Sequence, residues 1–354
     1  MALPYRVLSI DGGGIRGVLP ATVLAALEKS CGQPIAKLFD LIVGTSTGGI
    51  LALGLTAPGT IPGQPAHTAV ELLALYATTG QTIFPGGGPP DWKQRILGSS
   101  DPGEWLRNPF GILNRSAQKA GALSGGNAMY AGGARYFVEG LDRVLDTYVG
   151  NQLLSSAITD VIVTSWDMAY SEPVFFSSRS RSGWITDVGM PIVARATSAG
   201  PTYFEPQVMV DGQKQRVLVD GGVFINNPAM LAFVAGLEAA QGRPIDLLSL
   251  GTGTRNPSDH QTPGAIKTAN ALNTARAVME AAMSGGGELA HDLLSALPTE
   301  LGRYWRIQSN VGSCNFAMDD ASPANVACLS RLGLELVRSH QSDLAEVRDE
   351  LLKA

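Results

Sequence analysis

Two short segments near the N-terminus carry residue types that do chemistry. Asp11-Gly12-Gly13-Gly14-Ile15-Arg16-Gly17 follows an apolar run and can present a row of backbone N–H groups to a negative charge. Gly44-Thr45-Ser46-Thr47-Gly48 follows a second apolar run and can lift a serine hydroxyl onto a sharp strand-to-helix turn. Gly44 and Gly48 leave room for strand and helix to approach at such an elbow. Together the two segments point to acyl transfer, with an oxyanion site at Gly12, Gly13 and Gly14 and a nucleophile at Ser46.

The glycine run has a competing use. Gly12, Gly14 and Gly17 satisfy G-x-G-x-x-G, so a nucleotide-binding oxidoreductase is the alternative reading. That reading requires an acid at the end of the next strand to hold a ribose. The run Phe39–Val43 ends instead in Gly-Thr-Ser-Thr-Gly, and the nearby acid, Asp40, stands at its start. A P-loop is excluded because no lysine follows the glycines. Arg16 either orients the loop or neutralises a phosphate; a surface arginine in a turn fits the sequence equally well.

A serine nucleophile needs a base. The four histidines, His67, His260, His291 and His340, lie outside every glycine-bounded strand end. Asp220-Gly221-Gly222 lies in one. A carboxylate serves as base when it reaches the hydroxyl and a partly apolar site raises its pKa. A histidine triad stays open, as does Asp220 as an ordinary turn residue.

The elements that must hold these residues alternate between strand and helix. Strand-like runs fall at 5–10, 39–43, 160–164, 173–176, 215–219 and 245–250, with helical spacing at 18–29, 49–55, 67–77, 135–148 and 188–197. Asn227 as N-cap and Pro228 at the first helical position open a further helix to about 240. The remainder reads as mostly helical, with a final segment starting at Ser322-Pro323 and interrupted near Gly333. This order predicts an α/β fold with one mainly parallel central sheet covered on both faces, and ligand chemistry at the carboxyl ends of its strands.

Bulk properties narrow the class. The 354 residues hold 42 glycines, about 12% against a usual figure of about 7%, concentrated in the motifs and between 80 and 133. A net charge of −5 argues against nucleic acid. Cys31, Cys314 and Cys328 form no metal-ligand spacing and cannot all pair, so a reduced, cytosolic chain is expected. No signal sequence precedes the first strand, and the apolar stretch 41–55 is too short to span a bilayer.

Taken together, 11–17, 44–48 and 220–222 resemble the patatin-like phospholipases. Ala196-Thr197-Ser198-Ala199-Gly200-Pro201, Asn226-Asn227-Pro228, Leu248-Ser249-Leu250-Gly251-Thr252-Gly253 and Met318-Asp319-Asp320-Ala321-Ser322 add to the likeness. Gly200 places a small residue inside the usual Ser-Ala-x-Pro context. The resemblance implies a three-layer α/β/α sandwich and a cytoplasmic, bacterial-type enzyme. It further implies a Ser46–Asp220 dyad without histidine, and an oxyanion hole of Gly12, Gly13 and Gly14 with Arg16 beside them. Substrates are then membrane phospholipids or other acyl-ester lipids, met by peripheral contact with the membrane, and no metal or cofactor is needed. Gating by a small-molecule activator such as a cyclic-nucleotide messenger, or self-association, is compatible with it, although no messenger-binding motif is visible.

The whole chain, 1–354, is expected to form one catalytic domain with a Gly/Pro-rich lid at 80–133 and a helical C-terminal part at about 263–354. Within the lid, residues 91–120 hold five basic side chains (Lys93, Arg95, Arg107, Arg115, Lys119) and three acids, with Trp92, Trp105 and Phe110 among them. This composition suits a membrane-facing segment, and it equally suits an irregular loop packed on the domain by its aromatics.

Overall fold

The computed structural model describes residues 3–85, 134, 136–255, 281–282, 287–298 and 302–353. The basic and aromatic stretch at 91–120, most of the lid expected at 80–133, and His260 lie outside these residues.

Eight strands form one mixed sheet. In chain order they are β1 (Tyr5–Ile10), β2 (Leu41–Thr45), β3 (Asp160–Asp167), β4 (Glu172–Ser177), β5 (Gln207–Asp211), β6 (Lys214–Asp220), β7 (Ile245–Leu250) and β8 (Gly302–Ile307). Their spatial order is β5-β6-β3-β2-β1-β7-β8, and β4 pairs β3 off this path. The β3-β2-β1-β7-β8 part is parallel, whereas β4, β5 and β6 join antiparallel.

Strand alternation divides the core between two faces. Val7, Leu41, Val43, Ile162 and Leu247 point to one side, where they meet Ala232 and Phe233 of α7 (Ala229–Ala240). Leu8, Ile10, Ile42, Val161, Val163 and Leu248 point to the other and join the larger core. That core is closed by α1 (Val18–Cys31), α3 (Thr47–Thr56), α4 (Ala69–Ile83), α5 (Val138–Val149), α6 (Met190–Thr197) and α8 (Pro323–Ser339). The short α2 (Ile35–Leu38) precedes β2, and α9 (Gln341–Leu351) follows α8. The architecture is the expected α/β/α sandwich.

Local chemistry explains the helix ends. Thr68 and Glu71 form a reciprocal capping box at the start of α4. Pro228, not Asn227, is the N-cap of α7, but the Asn227 side chain still accepts the Ala229 N–H at 3.0 Å. The expected interruption at Gly333 does not occur. α8 runs through it to Ser339, because the bare glycine lets α1 approach: a methyl group there would stand 2.7 Å from Thr22 Oγ1.

Two further expectations are corrected. β5 and β8 are strands that periodicity did not reveal, and the C-terminal part is therefore not simply helical. Cys314 and Cys328 form a disulfide, so the chain does not carry three free thiols; only Cys31 is unpaired. A turn after β8 folds back onto the first half of α8 and brings the two Cα atoms to 5.6 Å, inside the range for a bridge.

One register relationship positions the chemistry. The first half of β3 pairs with β2, Thr45 opposite Thr164, and its second half pairs on the same edge with β6, Asp220 opposite Ser165. β4 occupies the other edge of β3. Hence β2 and β6 run toward each other along one template strand and their carboxyl ends meet head to head.

Candidate active site

Ser46 follows Thr45 at that junction and precedes α3. Its backbone has φ 55° and ψ −124°, a conformation that L residues rarely adopt and that stores local strain. The flanking glycines make it possible. A methyl group on Gly44 would overlap the Gly48 carbonyl, and one on Gly48 would overlap the Ile10 carbonyl. The strained amide is not orphaned, since Ser46 N–H donates to Thr197 Oγ1 at 2.8 Å. The N-terminus of α3 directs its positive end at the serine.

Asp220 closes the junction from the opposite side. Ser46 Oγ donates to Asp220 Oδ2 at 2.5 Å, and Gly222 N–H donates to Oδ1 at 2.8 Å. The carboxyl is 3% exposed, and burial pushes its pKa from 3.8 up to about 7 despite the two hydrogen bonds that favour the anion. A carboxyl with such a pKa can both take up and release a proton near neutral pH.

The glycine loop lies against this pair; a methyl on Gly12 would stand 3.1 Å from Ser46 Cβ. Its peptide planes are pinned from behind. The Gly12 carbonyl accepts from Thr252 Oγ1 at 2.6 Å and Asn226 Nδ2 at 3.2 Å. The Gly13 carbonyl accepts from Arg16 Nε at 3.3 Å and from Arg16 N–H at 3.2 Å. In a trans peptide the N–H points opposite to the C=O. Anchoring these two carbonyls therefore turns the N–H groups of Gly13 and Gly14 the other way. Among the described residues neither N–H has a hydrogen-bond partner.

Two parts of the expected oxyanion set change as a result. Gly12 N–H donates to the Asn226 carbonyl at 3.0 Å and is already occupied. Arg16 is 4% exposed, also donates to the Gly253 carbonyl at 3.2 Å, and stacks 3.9 Å from the Phe316 ring centroid. It supports the loop from behind and does not line the cleft. Gly14, at φ 59°, and Ile15 are the loop residues that reach the cleft wall. Asp11 is a structural anchor, held bidentately by Arg306 at 2.9 and 2.5 Å. Thr252, Asn226 and Thr197 went unassigned in the sequence, although each lies in a segment that contributes to the family resemblance.

Ser46 and Asp220 open into a cleft of about 780 Å³, its mouth included. Leu75, Tyr76 and Ile83 of α4 form one wall, and Leu141, Val144 and Leu145 of α5 another. Phe84, Tyr136 and Phe204 pack with ring centroids 5.5 to 5.8 Å apart, and Phe84 and Phe204 line its far side. The lining is almost wholly apolar apart from the Ser46–Asp220 pair and a few hydroxyls. His67 packs on Tyr148, His291 bonds Tyr304 and His340 bonds Asp343; none of the three lines the cleft.

A serine hydroxyl on a strained turn, a carboxylate within reach, an apolar cleft and, beside it, two amides without a partner among the described residues are parts that an acyl-transfer site needs. The family model described as Patatin-like phospholipase matches residues 8–233, and the chain belongs to this family of lipid acyl hydrolases. It is 29% identical to Patatin-17 of Solanum cardiophyllum, covering 98% of this chain and 87% of the relative. To Patatin-1-Kuras 2 of Solanum tuberosum it is 30% identical, with 98% and 90% covered. Patatin-like protein 2 of Arabidopsis thaliana is 28% identical, with 98% and 82% covered. Among solved structures, VipD from Legionella pneumophila aligns with a TM-score of 0.43 at 13% identity, over 96% of this chain and 67% of that one. Human GIVD cytosolic phospholipase A2 aligns with a TM-score of 0.43 at 11% identity, over 99% of this chain and 60% of that one. No described helix is long and apolar enough to cross a membrane.

Proposed function

We propose that the chain hydrolyses acyl esters of membrane glycerolipids, with Ser46 as nucleophile and Asp220 as general base. The observation that carries this reading is the 2.5 Å hydrogen bond from Ser46 Oγ to a buried carboxylate at the floor of an apolar cleft. Ser46 Oγ attacks the ester carbonyl carbon as its proton passes to Asp220 Oδ2. The carbonyl oxygen becomes an oxyanion, stabilised by the Gly13 and Gly14 N–H groups. Collapse breaks the ester bond, and the leaving alkoxide takes the proton from Asp220 and departs as a lyso-lipid or alcohol. Water then attacks the acyl-serine and gives a proton to Asp220. The fatty acid leaves, and Ser46 regains its hydrogen.

The cleft's chemistry supports an acyl chain as the group bound. Aliphatic and aromatic side chains from α4 and α5 favour a hydrocarbon tail, each buried methylene contributing about 0.8 kcal/mol. Such a substrate resides in a bilayer, so this reading includes peripheral contact with a membrane; the cytoplasmic placement rests on the family resemblance alone, since the Cys314–Cys328 bridge removes the argument from reduced thiols. Gating by a small-molecule activator or by self-association is part of the same reading, to be read from whether the isolated chain is active.

The test is fatty-acid release from mixed-phospholipid liposomes, followed by mass spectrometry for wild type, Ser46→Ala and Asp220→Asn. Release by wild type alone supports the proposal. Wild-type turnover by either variant overturns its assignment of roles.

A further inference from the structure

The head-to-head junction of β2 and β6 leaves a gap that the sheet itself does not bridge. The ladder on β3 ends its pairing with β2 at Thr45 and takes up β6 at Asp220, and the two strand ends share no register of their own. What spans the gap is the end of α6 and the residues just after it. Thr197 Oγ1 accepts the Ser46 N–H at 2.8 Å, and the Ala199 carbonyl accepts the Asp220 N–H at 3.0 Å. One segment three residues long therefore holds the main-chain amides of both partners.

We infer that Thr197 is a positioning residue for the reaction: its hydroxyl oxygen fixes the Ser46 elbow at the distance from Asp220 that proton transfer needs. The inference rests on the reading of Ser46 and Asp220 given above. Ser46 N–H has no helix or strand partner because the residue lies at φ 55° between the end of β2 and the start of α3. Thr197 is fully buried, so no water replaces its oxygen. Its side chain also packs close to Gly49, where an added methyl would stand 2.9 Å from Cγ2, and this contact keeps α6 seated against α3. The same bond has a second effect. It commits the Ser46 amide to Thr197 and so leaves the oxyanion to the Gly13 and Gly14 N–H groups.

Thr197→Val keeps the shape and removes the acceptor, and Thr197→Ser keeps the oxygen and removes the methyl. Steady-state turnover of p-nitrophenyl butyrate by both variants, wild type and Ser46→Ala reads the effect, with kcat and KM resolved. For Thr197→Val a fall in kcat of about tenfold to a hundredfold is expected with KM within about twofold, because misplacement by an ångström degrades attack and not binding. Thr197→Ser is expected to restore kcat to within about threefold of wild type. Should Thr197→Val fail to fold, Thr197→Ala against Thr197→Ser makes the same comparison. Wild-type kcat in the oxygen-free variant overturns the inference. So does an equal loss in Thr197→Ser, which assigns the effect to the methyl contact with Gly49. Full turnover by Ser46→Ala overturns the underlying assignment of the nucleophile and this inference with it; an inactive Ser46→Ala beside an unimpaired Thr197→Val removes the inference alone.

Discussion

Gly44 and Gly48 approach so closely that a single methyl group on Gly44 overlaps the Gly48 carbonyl. The atoms it would meet, the Gly48 carbonyl and the Gly49 nitrogen, belong to backbone and cannot swing aside. Gly44→Ala is therefore expected to displace α3 from β2, lower the thermal midpoint by several degrees and abolish ester turnover; the overpacking penalty is about 1–3 kcal/mol or more. Circular-dichroism melting with a parallel esterase assay checks this. An active variant with wild-type melting would show that the elbow is looser than described.

The buried Asp220 carboxyl, pushed up to about 7, predicts the pH profile of the first chemical step. Only the deprotonated form accepts the Ser46 proton. Labelling of Ser46 by a fluorophosphonate is expected to rise through about pH 7 and level off above pH 8. A rate that is flat from pH 5 to 9 removes Asp220 as the base.

The same shift has a consequence for stability, opposite in sign to that of a salt-bridged carboxylate. In the unfolded chain this group releases its proton near 3.8, whereas the folded state holds it to about 7. Between those values the folded state binds more protons, so the group's contribution declines as pH rises. Asp220→Asn avoids the burial of charge. Its thermal midpoint is expected above wild type at pH 8, with the gap narrowing toward pH 4. Scanning calorimetry at the two pH values decides the matter, and a constant difference argues against the shift.

How much of this could be read in advance depended on whether the signal was local. Ser46 and Asp220 each sit in a short glycine-bounded motif at a strand end, and short motifs are visible in sequence. β8 was not, because Arg303 and Arg306 interrupt its apolar residues; the structure pairs them with Glu350 and Asp11, contacts distant in the chain. β5 alternates with its apolar Val208 and Val210 exposed, so it carries no buried face to detect. Its turn was readable: Gly212-Gln213 between the paired Asp211 and Lys214, with Gly212 at φ 60°, is a two-residue hairpin loop with glycine at its first position. That hairpin would have revealed the antiparallel edge. Gly12 was misplaced as a donor for a different reason, since which way its peptide planes face depends on Thr252 and Asn226, more than two hundred residues away, whereas Arg16 takes the loop-orienting role that was one of its two readings.

Those two supports give a further prediction. Thr252→Val retains the volume and removes the donor that anchors the Gly12 carbonyl. With the shorter of the two bonds that aim the Gly13 N–H gone and the Asn226 bond left, kcat is expected to fall by about tenfold, short of the roughly 10²-fold or more that follows when an oxyanion donor is lost outright, while KM changes little. Stopped-flow separation of acylation from deacylation should place the loss in both steps, because both pass through an oxyanion. A change confined to KM would count against the loop's role.

Acyl preference is expected to respond to the cleft wall. Val144 on α5 is buried and lines the cavity, and Val144→Phe shortens the space available to a chain. The ratio of turnover on p-nitrophenyl palmitate to that on the butyrate ester should fall by about tenfold, as expected when a pocket loses room for one or two methylenes. An unchanged ratio would put the acyl chain elsewhere.

The end-to-end meeting of β2 and β6 makes the length of β6 a functional quantity. Side chains on a strand alternate between faces, so deleting or adding one residue between Arg216 and Asp220 turns the carboxylate to the opposite side of the sheet. Gly212, at the distal turn, has open space around it and tolerates extension. Substitutions along β6 and a longer hairpin turn therefore leave the junction intact, whereas a one-residue insertion or deletion in the four residues that lead into Asp220 takes it apart.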